Sequence, residues 1–214
     1  MIRVLLADDD SLVRGGLKAL LHGESDIVVV GEVSNGRDAV VSALALRPDV
    51  VVMDIRMPVR DGVSATRELM SATPRPRVLV LTTFDLDEVV DDAISAGADG
   101  FLLKRASPEE LVAGIRTVAG GDAVISSSVT RRLFEAHALR TPADRARTVR
   151  LTDREADVLR AMAEGLSNPE IARALHLSVE TVKTHVKHVL TKLEVRDRTQ
   201  AVVWAYRTGF AYRN

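Results

Sequence analysis

The chain has 214 residues, 46% of them hydrophobic and 28% charged, with no cysteine and a formal net charge of −1. This length and composition fit one or two packed domains and exclude a wholly disordered chain; without cysteine there is no disulfide framework, thiolate zinc site or cysteine nucleophile, so the chemistry falls to oxygen and nitrogen groups. No apolar stretch approaches the roughly 20 residues of a membrane helix and no signal-peptide pattern opens the chain, so a cytoplasmic protein with no membrane partner is expected.

Taken in chain order, short apolar runs end at polar stations. Val4-Leu5-Leu6-Ala7 ends at Asp8 and Asp9, Val50-Val51-Val52-Met53 at Asp54, Val78-Leu79-Val80-Leu81 at Thr82, and Phe101-Leu102-Leu103 at Lys104. Unbroken apolar runs of this length suit buried parallel strands. Strands are expected near 3–7, 27–33, 50–53, 78–82 and 100–103. They alternate with helical patterns near 11–22, 36–46, 62–72, 86–96 and 107–119. The alternation implies a doubly wound, five-stranded parallel sheet covered on both faces over residues 1–120. Ser11 and Ser107 are the expected amino-terminal caps, Pro108 fits a first helical position, and Gly97 and Gly120 fit helix ends.

In open α/β sheets ligands bind beyond the carboxyl ends of the strands, which is where these stations fall. Magnesium prefers oxygen ligands and commonly takes one or two carboxylates plus a phosphate oxygen. Asp8, Asp9 and Asp54 meet that demand, with Asp9 as the main side-chain ligand. A carboxylate can also attack phosphorus, which makes Asp54 the candidate acceptor. Thr82 can hydrogen-bond a phosphoryl oxygen, and Lys104 can pair with it as a compact charge.

Between residues 121 and 149 lies a linker with a helical stretch from Ser126 to about Ala138 and a tract carrying Arg145 and Arg147. Charge also divides the chain. Residues 1–120 hold 13 basic and 19 acidic side chains, whereas residues 150–214 hold 11 and 8.

From Leu151 the strand pattern gives way to helices near 153–164, 168–175, 179–193 and 198–208. Thr152 with Glu155 and Ser167 with Glu170 are capping boxes, and Ser178 precedes the third helix. A very short turn at His176-Leu177 makes residues 168–193 a helix-turn-helix candidate within a small all-α domain over 150–214. In the third helix Val182, Val186, Val189, Leu190 and Leu193 form an apolar stripe. Lys183, Thr184, Lys187 and Thr191 lie elsewhere on the cylinder, a face able to enter a major groove. His176, His185 and His188 lack a carboxylate or cysteine at metal-ligand spacing, so a metal reading is rejected there.

Over residues 2–120 the motifs Leu6-Ala7-Asp8-Asp9-Asp10, Met53-Asp54-Ile55-Arg56-Met57-Pro58, Asp61-Gly62, Leu81-Thr82-Thr83 and Gly97-Ala98-Asp99-Gly100-Phe101-Leu102-Leu103-Lys104 closely resemble the flavodoxin-like receiver domain of bacterial response regulators. The resemblance implies that Asp54 accepts phosphate from a sensor histidine kinase. It also implies magnesium, or another divalent cation such as manganese, bound by Asp9, Asp54 and the backbone carbonyl of Arg56, with Asp8 shaping the pocket. Thr82 and Phe101 match the family's switch pair. Arg105 stands where many receivers have proline, so the bond after Lys104 is expected to be trans.

The segments Leu151-Thr152, Arg154-Glu155, Gly165-Leu166-Ser167-Asn168, Glu170-Ile171-Ala172 and Thr181-Val182-Lys183-Thr184-His185-Val186 resemble a LuxR-type domain. The whole chain thus resembles the NarL/FixJ class. This implies duplex DNA as partner, Lys183, Thr184 and Lys187 as DNA contacts, and a homodimer when phosphorylated or on DNA. Ala201, Val202, Ala205 and Tyr206 match the usual dimer contact. Two other readings stay open: a phosphorylation-independent DNA-binding regulator with a vestigial receiver, and an aspartyl-phosphate phosphotransferase or phosphatase. Against the latter, Arg56 occupies the place two residues after Asp54 where a general acid would stand; only slow self-hydrolysis is expected, and the resemblance implies that Arg56 and Phe84 flank the water's path.

Overall fold

The computed structural model describes residues 1–82, 92–93, 96–125 and 149–212. The expected helix near 86–96, the stretch 126–138, most of the linker, and Thr83 and Phe84 lie wholly or largely outside them. The chain divides into two compact units, Met1–Val124 and Ile125–Asn214.

The first unit carries β1 (Ile2–Ala7), α1 (Ser11–His22), β2 (Ile27–Val33), α2 (Gly36–Leu46), β3 (Val50–Asp54), α3 (Gly62–Leu69), β4 (Arg77–Thr82), β5 (Gly100–Leu103) and α4 (Pro108–Ala119), and ends in β6 (Val124–Ile125), whose second residue opens the other unit. The sheet order is β2-β1-β3-β4-β5-β6, and β1 to β5 pair in parallel. Five strands are those expected; β6, only two residues long, is an addition at the edge.

Side chains alternate across each strand, so the two faces can be separated. Val4, Leu6, Val50, Val52, Leu79, Leu81 and Leu102 pack with Leu21 of α1 and with Leu111, Ile115 and Val118 of α4. The alternate set, Leu5, Val51, Met53, Val78, Val80 and Phe101, is also buried, and α2 and α3 lie against the sheet and each other. Burial on both sides explains why the strands read as continuous apolar runs.

The helix caps mostly follow expectation. Ser107 and Glu110 form a reciprocal capping box ahead of Pro108. Asp10, not Ser11, caps α1, its Oδ1 accepting from the amides of Leu12 at 2.8 Å and Val13 at 3.4 Å. Gly120 caps the carboxyl end of α4 as expected, and the left-handed residue that follows it is Gly121, at φ 90°.

The described residues of the second unit form α5 (Asp153–Ala163), α6 (Asn168–Ala174), α7 (Val179–Leu193), α8 (Arg198–Arg207) and a short 3-10 turn, Phe210–Tyr212. Val158, Leu159, Met162, Ile171, Val182, Val189 and Leu193 are buried between the helices. His176 takes φ 54° in the turn joining α6 to α7, and the Leu177 amide donates to the Ala172 carbonyl at 2.8 Å. One left-handed residue thus closes the turn without further loop.

Candidate functional site

The four polar stations converge at the carboxyl edge of the sheet. Asp8 and Asp9 follow β1, Asp54 ends β3, Thr82 ends β4 and Lys104 follows β5. Register sets Asp54 beside Leu81 and Thr82 beside Leu103. The winding reverses between β1 and β3, where such sheets open a crevice. Asp8, Asp54 and Thr82 are buried there, while Asp9 is exposed. Phe101 on β5 is fully buried.

Lys104 Nζ donates to Asp54 Oδ2 at 2.9 Å and lies 2.7 Å from Asp8 Oδ2. The second contact is close in distance but off the direction of a hydrogen bond, so Asp8 Oδ2 has a neighbouring charge and no directed donor. Backbone amides serve the remaining oxygens: Ile55 donates to Asp54 Oδ1 at 2.7 Å and Asp10 to Asp8 Oδ1 at 3.0 Å. Arg14 Nη1 anchors the Asp8 carbonyl at 2.6 Å. The Lys104–Arg105 bond is trans, the cis bond among the described residues being Thr73–Pro74.

One ammonium between two buried carboxylates leaves negative charge uncompensated. Burial pushes the Asp54 carboxyl up, the Lys104 hydrogen bond and charge pull it back, and Asp8 adds to the rise; the net direction is upward. For Lys104 burial opposes the charge, but Asp54 and Asp8 outweigh it and hold the ammonium above its ordinary range. The amine is therefore charged at neutral pH.

One carboxylate oxygen from each of Asp8, Asp9 and Asp54 lies within 4.8 Å of the others. An all-oxygen anionic set with an undirected Asp8 oxygen and a solvent-facing Asp9 fits a hard divalent cation. Exposed Arg56 lines an adjoining cleft with Asp9, Met57, Pro58 and Asp61.

Two supporting residues stood in the sequence only as parts of motifs. A Cβ added at Gly62 would sit 1.9 Å from the Asp54 backbone oxygen, and the Gly62 amide donates to the Ile55 carbonyl at 2.8 Å. Glycine here lets α3 start against the strand that carries Asp54. At the opposite edge of the sheet, buried Asp99 accepts from Arg75, Arg77 and the Val78 amide at 2.6 to 3.0 Å, tying β5 to the entrance of β4. The Asp61-Gly62 and Gly-Ala-Asp-Gly spellings were the available signals.

In the second unit, Lys183, Thr184, Lys187 and Thr191 all lie exposed on α7. Lys183 Nζ donates to Glu180 Oε1 at 3.0 Å. The hydroxyls of Thr184 and Thr191 donate to the carbonyls of Glu180 and Lys187, each at 3.0 Å. The back of α7 is fixed to α5 by Lys192, whose Nζ donates to buried Glu155 at 2.5 Å. Burial pushes the Glu155 carboxyl up, but Lys192 and the Thr152 amide and hydroxyl outweigh it and hold it at about 2.

The residues expected at the dimer contact lie in the core of the helical unit. Ala201, Val202 and Ala205 have no exposed surface and Tyr206 is buried, with the Tyr206 hydroxyl donating to the Ala163 carbonyl. Their helix packs on α5 and α7. These four belong to the unit's own core.

A doubly wound sheet with an Asp-Asp-Lys pocket at its carboxyl edge, followed by a compact helix-turn-helix unit, defines a receiver joined to a DNA-binding output domain. The response regulator receiver domain family matches residues 4–116, and the luxR family of bacterial regulatory proteins matches 149–205. The uncharacterized transcriptional regulatory protein YxjL of Bacillus subtilis is 42% identical over 212 residues, 97% of this chain and 96% of that protein. The response regulator VraR of Staphylococcus aureus is 40% identical over 206 residues, 96% and 97% of the two chains. The crystal structure of the response regulator ChrA, from a heme-sensing two-component system, superposes with a TM-score of 0.58 at 35% identity, over 98% of each chain.

The chain belongs to the response regulators with a luxR-type output domain. It is a phosphorylation-controlled, DNA-binding transcriptional regulator rather than a classical enzyme. Its receiver implies a histidine kinase as partner and its output domain implies DNA. Among the described residues no helix is long and apolar enough to cross a membrane.

Proposed function

We propose that this is a cytoplasmic protein, that Asp54 is the phosphoacceptor of a receiver spanning residues 1–120, and that a phosphohistidine on a sensor histidine kinase is its donor. An Asp54 oxygen attacks phosphorus, the phosphorus–nitrogen bond breaks, and the imidazole leaves with its electron pair and takes up a proton. Asp9, Asp54 and the Arg56 backbone carbonyl would hold magnesium or manganese, with Asp8 supporting. That cation would neutralise charge as the acyl phosphate forms. Thr82 hydrogen-bonds a phosphoryl oxygen, and Lys104 exchanges the Asp54 carboxylate for the phosphoryl group. The observation that carries this reading is the Lys104 ammonium held between Asp8 and Asp54.

Thr82 and Phe101 form the switch that alters the receiver surface. The output domain, residues 150–214, places Lys183, Thr184 and Lys187 in the major groove and pairs as a homodimer on a two-fold site, joined to the receiver through 121–149. With Ala201, Val202, Ala205 and Tyr206 in the core, the half-buried Gln200 and Trp204 are, among the described side chains, the groups of α8 left for that contact.

Intact-mass measurement with magnesium and a small-molecule phosphodonor tests the reading, alongside a sizing column. Wild type is expected to gain one phosphoryl group and to run larger, and Asp54→Ala to do neither. No mass gain in wild type at any magnesium concentration would overturn it in favour of a vestigial receiver.

A further inference from the structure

α7 carries three lysines, Lys183, Lys187 and Lys192, and one carboxylate, Glu180. Glu180 stands in the first turn with 82% of its side chain exposed, its Oε1 3.0 Å from Lys183 Nζ. By helical spacing it shares the stripe of Lys183, Thr184 and Lys187, one turn nearer the amino end. A carboxylate on a helix directed at a polyanion costs affinity unless it meets a donor. The major groove supplies such donors on its base edges alone.

We propose that Glu180 and Lys183 act as one unit that reads a G·C pair, the carboxylate accepting from cytosine N4 and the ammonium donating to guanine O6 and N7. The inference rests on α7 being the recognition helix. Within a G·C pair N4 and O6 are joined by a hydrogen bond of about 2.9 Å, so their spacing matches the 3.0 Å between Lys183 Nζ and Glu180 Oε1. An A·T pair offers N6 and O4 at similar spacing, but the adenine N7 acceptor then falls beside the carboxylate and the thymine methyl beside the ammonium. In G·C both guanine acceptors fall on the ammonium side. Thr184 completes the surface differently: its hydroxyl proton is committed to the Glu180 carbonyl, which leaves its methyl group for an adjoining thymine methyl.

The test is selection from a pool of random-sequence duplex DNA at fixed salt, with the full chain and phosphodonor present, comparing wild type with Glu180→Ala, Glu180→Gln and Lys183→Ala. Wild type is expected to enrich a G·C pair at one position of each half-site. Glu180→Ala and Lys183→Ala should each lower that preference by about tenfold, the worth of one good base contact, with other positions unchanged. Glu180→Gln should move the same position toward adenine, since an amide both accepts from N6 and donates to N7. An unchanged preference in Glu180→Ala, with tighter binding to every sequence, would overturn the proposal, because a carboxylate that merely repels phosphates behaves that way. Absence of any enrichment by wild type would instead remove the recognition-helix reading itself, and the proposal with it.

Discussion

Asp54 sits where the folded receiver resists its charge. Burial and Asp8 together outweigh Lys104, so its carboxyl is raised above its ordinary value. A group with a raised folded value contributes stability that is fully present below the unfolded value, here 3.8, and is lost as pH rises through the folded one. At neutral pH the ionised carboxylate therefore weighs against the fold. In chelator at pH 7.5, Asp54→Asn is expected to melt about 2–6 °C above wild type. The gap should shrink as pH falls toward 4. A variant melting below wild type throughout that range would mean that Lys104 stabilises the Asp54 carboxylate more than burial opposes it. Lys104 has the opposite dependence: its raised amine supports the fold up to its unfolded value of 10.5 and loses that support as pH climbs past it.

The helical unit is held by ties between elements rather than by apolar packing alone. Glu155 caps α5 through Thr152 and also receives Lys192 from α7, so one carboxylate links the cap of one helix to the last turn of another. Its value of about 2 lies below the ordinary 4.5, and a depressed value means stability present above 4.5 and lost as pH falls toward 2. Glu155→Gln in the full chain should lower the stability of this unit by about 1–2 kcal/mol at pH 7, as expected for charged hydrogen bonds on a partly exposed lysine. The loss should fade between pH 4.5 and 2. A loss of equal size at pH 2.5 and pH 7 would assign it to packing instead. The Thr152 and Glu155 box was legible as a pattern of residue types, but the reach to Lys192 was not, because sequence separation carries no distance. α8 shows the converse. Ala201, Val202, Val203, Ala205 and Tyr206 cover most of its circumference, so periodicity could not separate core from contact.

At the scale of the whole chain, the five-stranded parallel sheet and the convergence of Asp8, Asp9, Asp54, Thr82 and Lys104 were legible because parallel strands buried on both faces leave unbroken apolar runs with polar residues at their ends. The two-residue β6 is too short for any periodicity, and the space that requires Gly62 belongs to the folded backbone. In the proposed homodimer, pairing is the step by which phosphorylation in one unit would reach DNA through the other. A two-fold contact sets each surface against its own copy, so a charge near the axis repels itself. With five apolar residues of α8 committed to the core and Gln200 half-buried, Gln200→Glu is expected to raise the half-saturation concentration on a two-fold DNA site by about tenfold, a coupling near 1.4 kcal/mol, while leaving affinity for a single half-site unchanged. Fluorescence anisotropy on paired and single half-site duplexes, with phosphodonor present, reads both quantities. Equal weakening on the two duplexes would mean that Gln200 supports the DNA-binding fold rather than the pairing. Unchanged binding on both would move the two-fold contact off α8 and onto the receiver, where phosphorylation at Asp54 would control pairing directly.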